Sequence, residues 1–198
     1  MLRFYTNQEL ARRLSLPTAK WKRWSREFLP PDPLGGLQSG YARQYSVDDA
    51  LTVFLGGVLV SDLKFVIPEA RKILSDLNPW LLQSGIFTGV VSKNQAESIP
   101  WTRVRDLSIE IYRMPPGPGR VPVFQYRLRG LLERRLVEDA VIQERFIERV
   151  HPDGTPAPER FRGALLRVTE ALRWFVGALE LDQRHFAALR EDTKSAQD

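Results

Sequence analysis

The 198-residue chain has no cysteine, two histidines and two methionines. Without cysteine there are no disulfide frameworks, thiol nucleophiles, iron–sulfur clusters or zinc fingers. His151 and His185 lie far apart in sequence, so a transition-metal site is not expected, and a Ser-His-Asp arrangement would have to take one of them as its base. The signatures GxSxG, GxxxxGK[ST] and GxGxxG are all missing. Long apolar runs are missing too: the apolar stretch Ala50 to Val60 would reach only ~16 Å as a helix, about half of a bilayer's hydrocarbon core. Arg3, Asn7, Gln8 and Glu9 stand where a secretory signal needs its apolar stretch, which predicts a cytoplasmic protein. No cofactor and no catalytic residue is assigned. The carboxylates of Glu110, Glu133 and Asp139 suggest no shared site, so an enzyme is not expected.

What the chain does have is an uneven charge. Its net charge is +5, with 43% hydrophobic and 27% charged residues, the balance of a soluble globular protein. Residues 1–47 carry eight basic residues (Arg3, Arg12, Arg13, Lys20, Lys22, Arg23, Arg26, Arg43) against Glu9, Glu27 and Asp32, while the 21 basic and 21 acidic residues of the remainder cancel. A basic head on a neutral body is the electrostatic form of a polyanion binder, although a solvated basic face has the same composition.

In the head, Thr6-Asn7-Gln8-Glu9 reads as a capping box that starts a helix, and Ser15-Leu16-Pro17 stops it. A second helix starts at Thr18. It sets Trp21 and Trp24 on one face, read as core against Leu10 and Leu14, and spreads Lys20, Lys22, Arg23 and Arg26 over the rest. Two short helices and a tight turn make a helix-turn-helix. The Pro- and Gly-rich stretch 29–36 follows, and then Gly40 to Ser46 suits a short β ribbon on which Tyr41, Arg43 and Tyr45 alternate and can face one way. Ser46 or Asp48 caps a helix running to about Ser61, and Pro68 fits the first turn of another, whose buried side holds Ala70, Ile73, Leu74 and Leu77.

From Phe4 to Leu77 these residues resemble the MerR-like winged helix-turn-helix DNA-binding domains. The likeness rests on Thr6-x-x-Glu9-Leu10-Ala11, Trp21-Lys22-x-Trp24, Leu29-Pro30, Gly40-Tyr41-x-Arg43-x-Tyr45, Asp48-Asp49-Ala50 and Phe65-Val66-Ile67-Pro68-Glu69-Ala70. The resemblance implies that the helix from Thr18 enters the major groove of double-stranded DNA. Thr18, Ala19, Lys20 and Arg23 would then lie nearest base edges, Lys22 and Arg26 on phosphates, and Tyr41, Arg43 and Tyr45 on the flanking backbone. It also implies RNA polymerase as a partner at distorted promoter DNA.

Residues 80–157 change character, with β-leaning runs at 86–91, 107–112 and 121–128 and a hairpin loop at Met114 to Gly119; a strand is also expected near Val141 to Val150. A β-containing unit here suits the sensing of a small-molecule effector, a partner contact or support of a dimer. Trp80, Phe87, Trp101, Tyr112, Phe124 and Tyr126 are read as core ahead of a pocket lining. From Pro158, Phe161, Leu165, Val168, Leu172, Phe175, Leu179, Asp182, Phe186 and Leu189 step by four and three residues, a heptad seam. It predicts a helix over 158–191 that pairs two copies of the chain, the rival being a helix packed within its own subunit; the tail 192–198 should fray.

The predicted fold class is α+β: an N-terminal winged helix-turn-helix (1–79), a small β-containing module (80–157) and a long C-terminal dimerisation helix (158–191). The expected function is a homodimeric, sequence-specific DNA-binding regulator of transcription. Its rivals are an architectural or excisionase-like DNA-binding factor and a winged-helix protein-interaction module.

Overall fold

The structure, a computed structural model, describes residues 4–32, 42–87, 104–114, 123–132, 135–139, 163–183, 186 and 189. Mixed helix and sheet make it an α+β chain, with two antiparallel sheets among these residues. Strand β1 (Tyr5–Thr6) leads into α1 (Asn7–Arg13), where the Thr6 hydroxyl accepts the Glu9 N–H at 3.3 Å and the Glu9 carboxylate takes Arg13 Nε at 3.2 Å. Ser15, at φ 52°, turns the chain, and α2 (Thr18–Phe28) starts directly after Pro17.

Strand β2 (Gln44–Tyr45) pairs with β1, Tyr5 opposite Tyr45. Ser46 then caps α3 (Val47–Ser61): its hydroxyl accepts the Asp49 N–H at 3.1 Å and the Asp49 carboxylate accepts the Ser46 N–H at 3.1 Å. Gly56 and Gly57 let α3 approach α2. A Cβ at Gly57 would stand 2.2 Å from a carbon of the Trp24 ring, and one at Gly56 2.5 Å from a carbon of the Phe28 ring. Helix α4 (Ile67–Gln83) has Pro68 in its first turn, as expected, and Glu69 accepts the Val66 N–H at 3.1 Å.

The larger sheet is built from β3 (Arg105–Met114), β4 (Val123–Leu132), β5 (Arg135–Asp139) and β6 (Gly163–Arg167) in the order β5-β4-β3-β6. The two strands of the expected hairpin pair antiparallel, Ile111 opposite Tyr126, and its loop beyond Met114 lies outside the described residues. Alternation sends Leu107, Ile109, Ile111, Phe124, Tyr126 and Leu128 into the core, while Ser108, Glu110 and Tyr112 stay half-buried on the other face. Helix α5 (Val168–Ala178) packs on β3, and its Thr169 hydroxyl accepts the Leu107 N–H at 2.9 Å. Buried apolar residues from Tyr5 to Leu189 form one cluster. Of the aromatics read as core, Trp80, Phe87, Phe124 and Tyr126 are buried and Tyr112 is half-buried; Trp101 lies outside the described residues.

The C-terminal expectation is corrected. A continuous helix over 158–191 is excluded by β6, which hydrogen-bonds along the edge of β3, Ile109 opposite Leu166 and Tyr112 opposite Gly163. The apolar residues before Val168 complete a sheet, and pairing with an open edge satisfies their backbone as fully as a helix would. Helix α5 ends at Ala178, with Glu180 at φ 53°. Val168, Leu172, Phe175, Leu179 and Phe186 are at most 1% exposed within the single chain, so five of the seven expected dimer-seam residues belong to the subunit's own core. Leu165 is 45% exposed, on β6. Phe161 lies outside the described residues, as do the expected strand at 141–150 and the run beyond Phe87. Ile86 and Phe87 are buried in a bend after α4, not in a strand.

Candidate nucleic-acid interface

Helix α2 is amphipathic, and its two faces are sharply unlike. Trp21, Trp24 and Ser25 are buried, whereas Ala19, Lys20, Lys22, Arg23 and Arg26 are exposed and Thr18 is half-buried. At 100° per residue, Lys22, Arg26, Ala19 and Arg23 fall on one continuous outward strip, and Lys20 lies beyond it, towards Trp24. The one carboxylate of the helix, Glu27, is neutralised by Arg71 of α4, which reaches both its carboxylate and, at 2.6 Å, its backbone carbonyl. Helix α2 has no acidic residue in its first turn and no side-chain cap from Pro17, so the positive end of its dipole is unopposed by local carboxylates.

On one side of the strip lies a concavity of about 530 Å³ between α2, the 29–32 segment and β2. Lys22, Arg26 and Arg43 line it, and Asp32 is the acidic residue of its wall. Its floor is a hydrogen-bonded chain: Tyr45 OH donates to Asn7 Oδ1 at 2.7 Å and is 2.7 Å from Ser25 Oγ. The single phenolic proton goes to Asn7, so Ser25 is the donor to Tyr45. The Tyr45 ring meets Trp21 edge-on at 5.8 Å. Arg43 is placed from two directions, donating Nη1 to the Pro30 carbonyl at 3.0 Å and lying 5.5 Å from the Tyr45 ring centroid.

The arrangement differs from the expected ribbon in one respect. Tyr45 is 1% exposed, because its strand pairs with β1 and turns its ring inward; it cannot lie on a phosphate backbone together with Arg43, as alternation in the ribbon suggested. Tyr41 lies outside the described residues. The fold therefore gathers Lys22, Arg26 and Arg43 round one hollow, leaves Arg23 and Ala19 on the open strip, and puts Lys20 on the opposite flank, its Nζ 4.7 Å from the Trp24 ring centroid. Asn7, Ser25 and Pro30 support the site without having been singled out in the sequence. The available sign was Ser25, a hydroxyl four residues after Trp21 on an otherwise apolar face.

Chemically, a hollow with three cations and a single carboxylate attracts anions, and guanidinium forks suit phosphate oxygens. Among the described residues no helix is long and apolar enough to cross a membrane. Compared with protein-family models, with curated proteins and with solved structures, the chain matches none.

Proposed function

We propose that this protein binds double-stranded DNA as a MerR-like regulator of transcription, with the outward strip of α2 in the major groove and the Lys22–Arg26–Arg43 hollow on the adjoining phosphates. The observation that carries the reading is the convergence of those three cations beside an exposed helix face whose only carboxylate is neutralised from behind by Arg71. Phosphate contacts fix register and supply salt-dependent affinity, and base edges are read by what the helix presents between them. In this reading Thr18, Ala19 and Arg23 face bases, and Arg43 is a backbone clamp held ready by Pro30 and Tyr45. The apolar face of α5 is used inside the subunit, so the reading includes no dimer through that helix.

The test is fluorescence anisotropy on duplexes recovered by selecting sheared genomic DNA with the purified protein, repeated over a range of salt concentrations. Lys22→Ala, Arg26→Ala and Arg43→Ala should each lower the slope of log affinity against log salt by about one, whereas Arg23→Ala should change which duplexes are selected. Tyr45→Phe serves as the control, since it loosens the floor without removing a charge and should leave the slope unchanged. Equal affinity of the triple alanine variant and the wild type for every duplex would refute the assignment. Retention without a shared motif would favour an architectural factor.

A further inference from the structure

The opposite flank of α2 opens into a second and larger hollow, a cleft of about 600 Å³ shared by the α1–α2 turn, α2, α3, β6 and α5. Its size is that of a small-molecule site. Leu14, Leu16, Val58 and Leu165 make its lining largely apolar, and two large apolar groups in it remain open to water, Leu165 at 45% and Trp174 at 49% exposure. Trp174 is stacked on Phe54, with centroids 5.2 Å apart and planes 16° from parallel. One face of the indole is thus occupied and half of its surface is left for a flat partner.

Charge in the cleft is asymmetric. Of its two lining carboxylates, Glu170 is engaged by Arg167 at 3.3 Å, and Asp62 is the C-cap of α3, where the helix's carbonyl end already holds negative potential. Lys20 and Arg167 are the lining cations; Arg167 is taken by Glu170, whereas the Lys20 ammonium stands over the Trp24 ring. We infer that this cleft binds a flat aromatic monoanion, its ring against Trp174 and Leu165 and its acid group on Lys20. The inference deepens the DNA-binding reading and rests on it only for one consequence: Lys20 lies next to Thr18 and Ala19, which face bases in that reading, so an acid group held there repels the DNA phosphates and each weakens the other. By linkage the two weakening factors must be equal.

The experiment titrates the full chain with two fluorescent probes of one shape, the anion 8-anilinonaphthalene-1-sulfonate and the neutral N-phenyl-1-naphthylamine. The expected result is one saturable site for each. Lys20→Gln should weaken the anion by about tenfold and leave the neutral probe unchanged. Leu165→Gln, an exposed position that does not endanger folding, and Trp174→Ala should weaken both by about fivefold. Probe binding that never saturates, or that is indifferent to Leu165→Gln, would overturn the site, and equal loss of both probes in Lys20→Gln would overturn the anion. Anion binding that leaves duplex affinity unchanged would overturn the coupling. A protein that binds the probes as expected but no duplex would sink the DNA reading and leave the cleft assignment standing.

Discussion

Arg113 of β3 grips Glu69 of α4 with two parallel hydrogen bonds, Nε to Oε1 at 2.8 Å and Nη2 to Oε2 at 2.7 Å, while the same carboxylate closes the first turn of α4 on the Val66 N–H. The guanidinium also lies 5.4 Å from the Phe65 ring centroid, and Phe65 meets Phe124 of β4 edge-on at 5.8 Å. One acidic side chain therefore both starts a helix and fastens it to the sheet.

The two duties can be separated by mutation. Arg113→Ala removes the pair and should lower the unfolding free energy by ~1–2 kcal/mol, whereas Glu69→Ala removes pair and cap together and should lower it by ~2–3 kcal/mol. In urea melts the double variant should be no worse than Glu69→Ala alone, because the coupling is already gone. Additive losses would show that the two side chains act independently.

Two glycines should respond in opposite directions to the same substitution. A Cβ at Gly57 would stand 2.2 Å from a carbon of the Trp24 ring, and a rigid, buried indole cannot yield as the end of a flexible side chain does, so Gly57→Ala should destabilise by ~1–3 kcal/mol although alanine favours helix. Gly177, in the last turn of α5, has nothing within 4 Å of such a Cβ, and Gly177→Ala should stabilise by ~0.5–1 kcal/mol. Thermal melts of the two variants should bracket the wild type.

Tyr126 gives the chain a weakness at alkaline pH. Its hydroxyl, buried in the core, donates to Asp76 Oδ2 at 2.9 Å; burial first, and then the Asp76 charge, push its pKa above the ordinary tyrosine value. The folded state keeps this proton while the unfolded chain releases it above pH about 10, so stability is fully present below that pH and declines by ~1.4 kcal/mol per pH unit above it. Tyr126→Phe loses the hydrogen bond at neutral pH but removes this contribution, so its stability between pH 10 and 12 should fall more gently than the wild type's. Parallel curves for the two proteins would show that the hydroxyl is not held as described.

The head was legible in the sequence because its signals are local. Thr6, Pro17, Ser46 and Pro68 each act within four residues of themselves: Thr6 and Pro68 start helices as expected, α1 ends before Pro17 as expected, and of the two candidate caps Ser46 and Asp48 it is Ser46 that starts α3. The β3–β4 hairpin was legible for the same reason. What was not legible depends on distant pairing. Leu165 continues the apolar stepping of α5, and only the open edge of β3, more than fifty residues earlier, makes its segment a strand. Periodicity also cannot say which copy of a chain an apolar stripe meets, so Leu172 and Phe175 served a dimer seam as well as they serve the core. In the candidate interface the alternation of Arg43 and Tyr45 was visible, but the inward turn of Tyr45 follows from its pairing with Tyr5.

Arg13, at the end of α1, reaches Glu180 in the turn after α5 at 3.1 Å, and Phe54 of α3 lies between Trp174 and Phe175 of α5. During synthesis this sets an order of events. The helices of the first quarter can form as soon as they leave the ribosome, but the part of α3 that bears Phe54 stays open to water until α5 has been made. The earliest part of the chain is thus among the last to be finished, and a nascent protein interrupted before residue 168 would carry its basic head on an uncovered core, a natural client for chaperones.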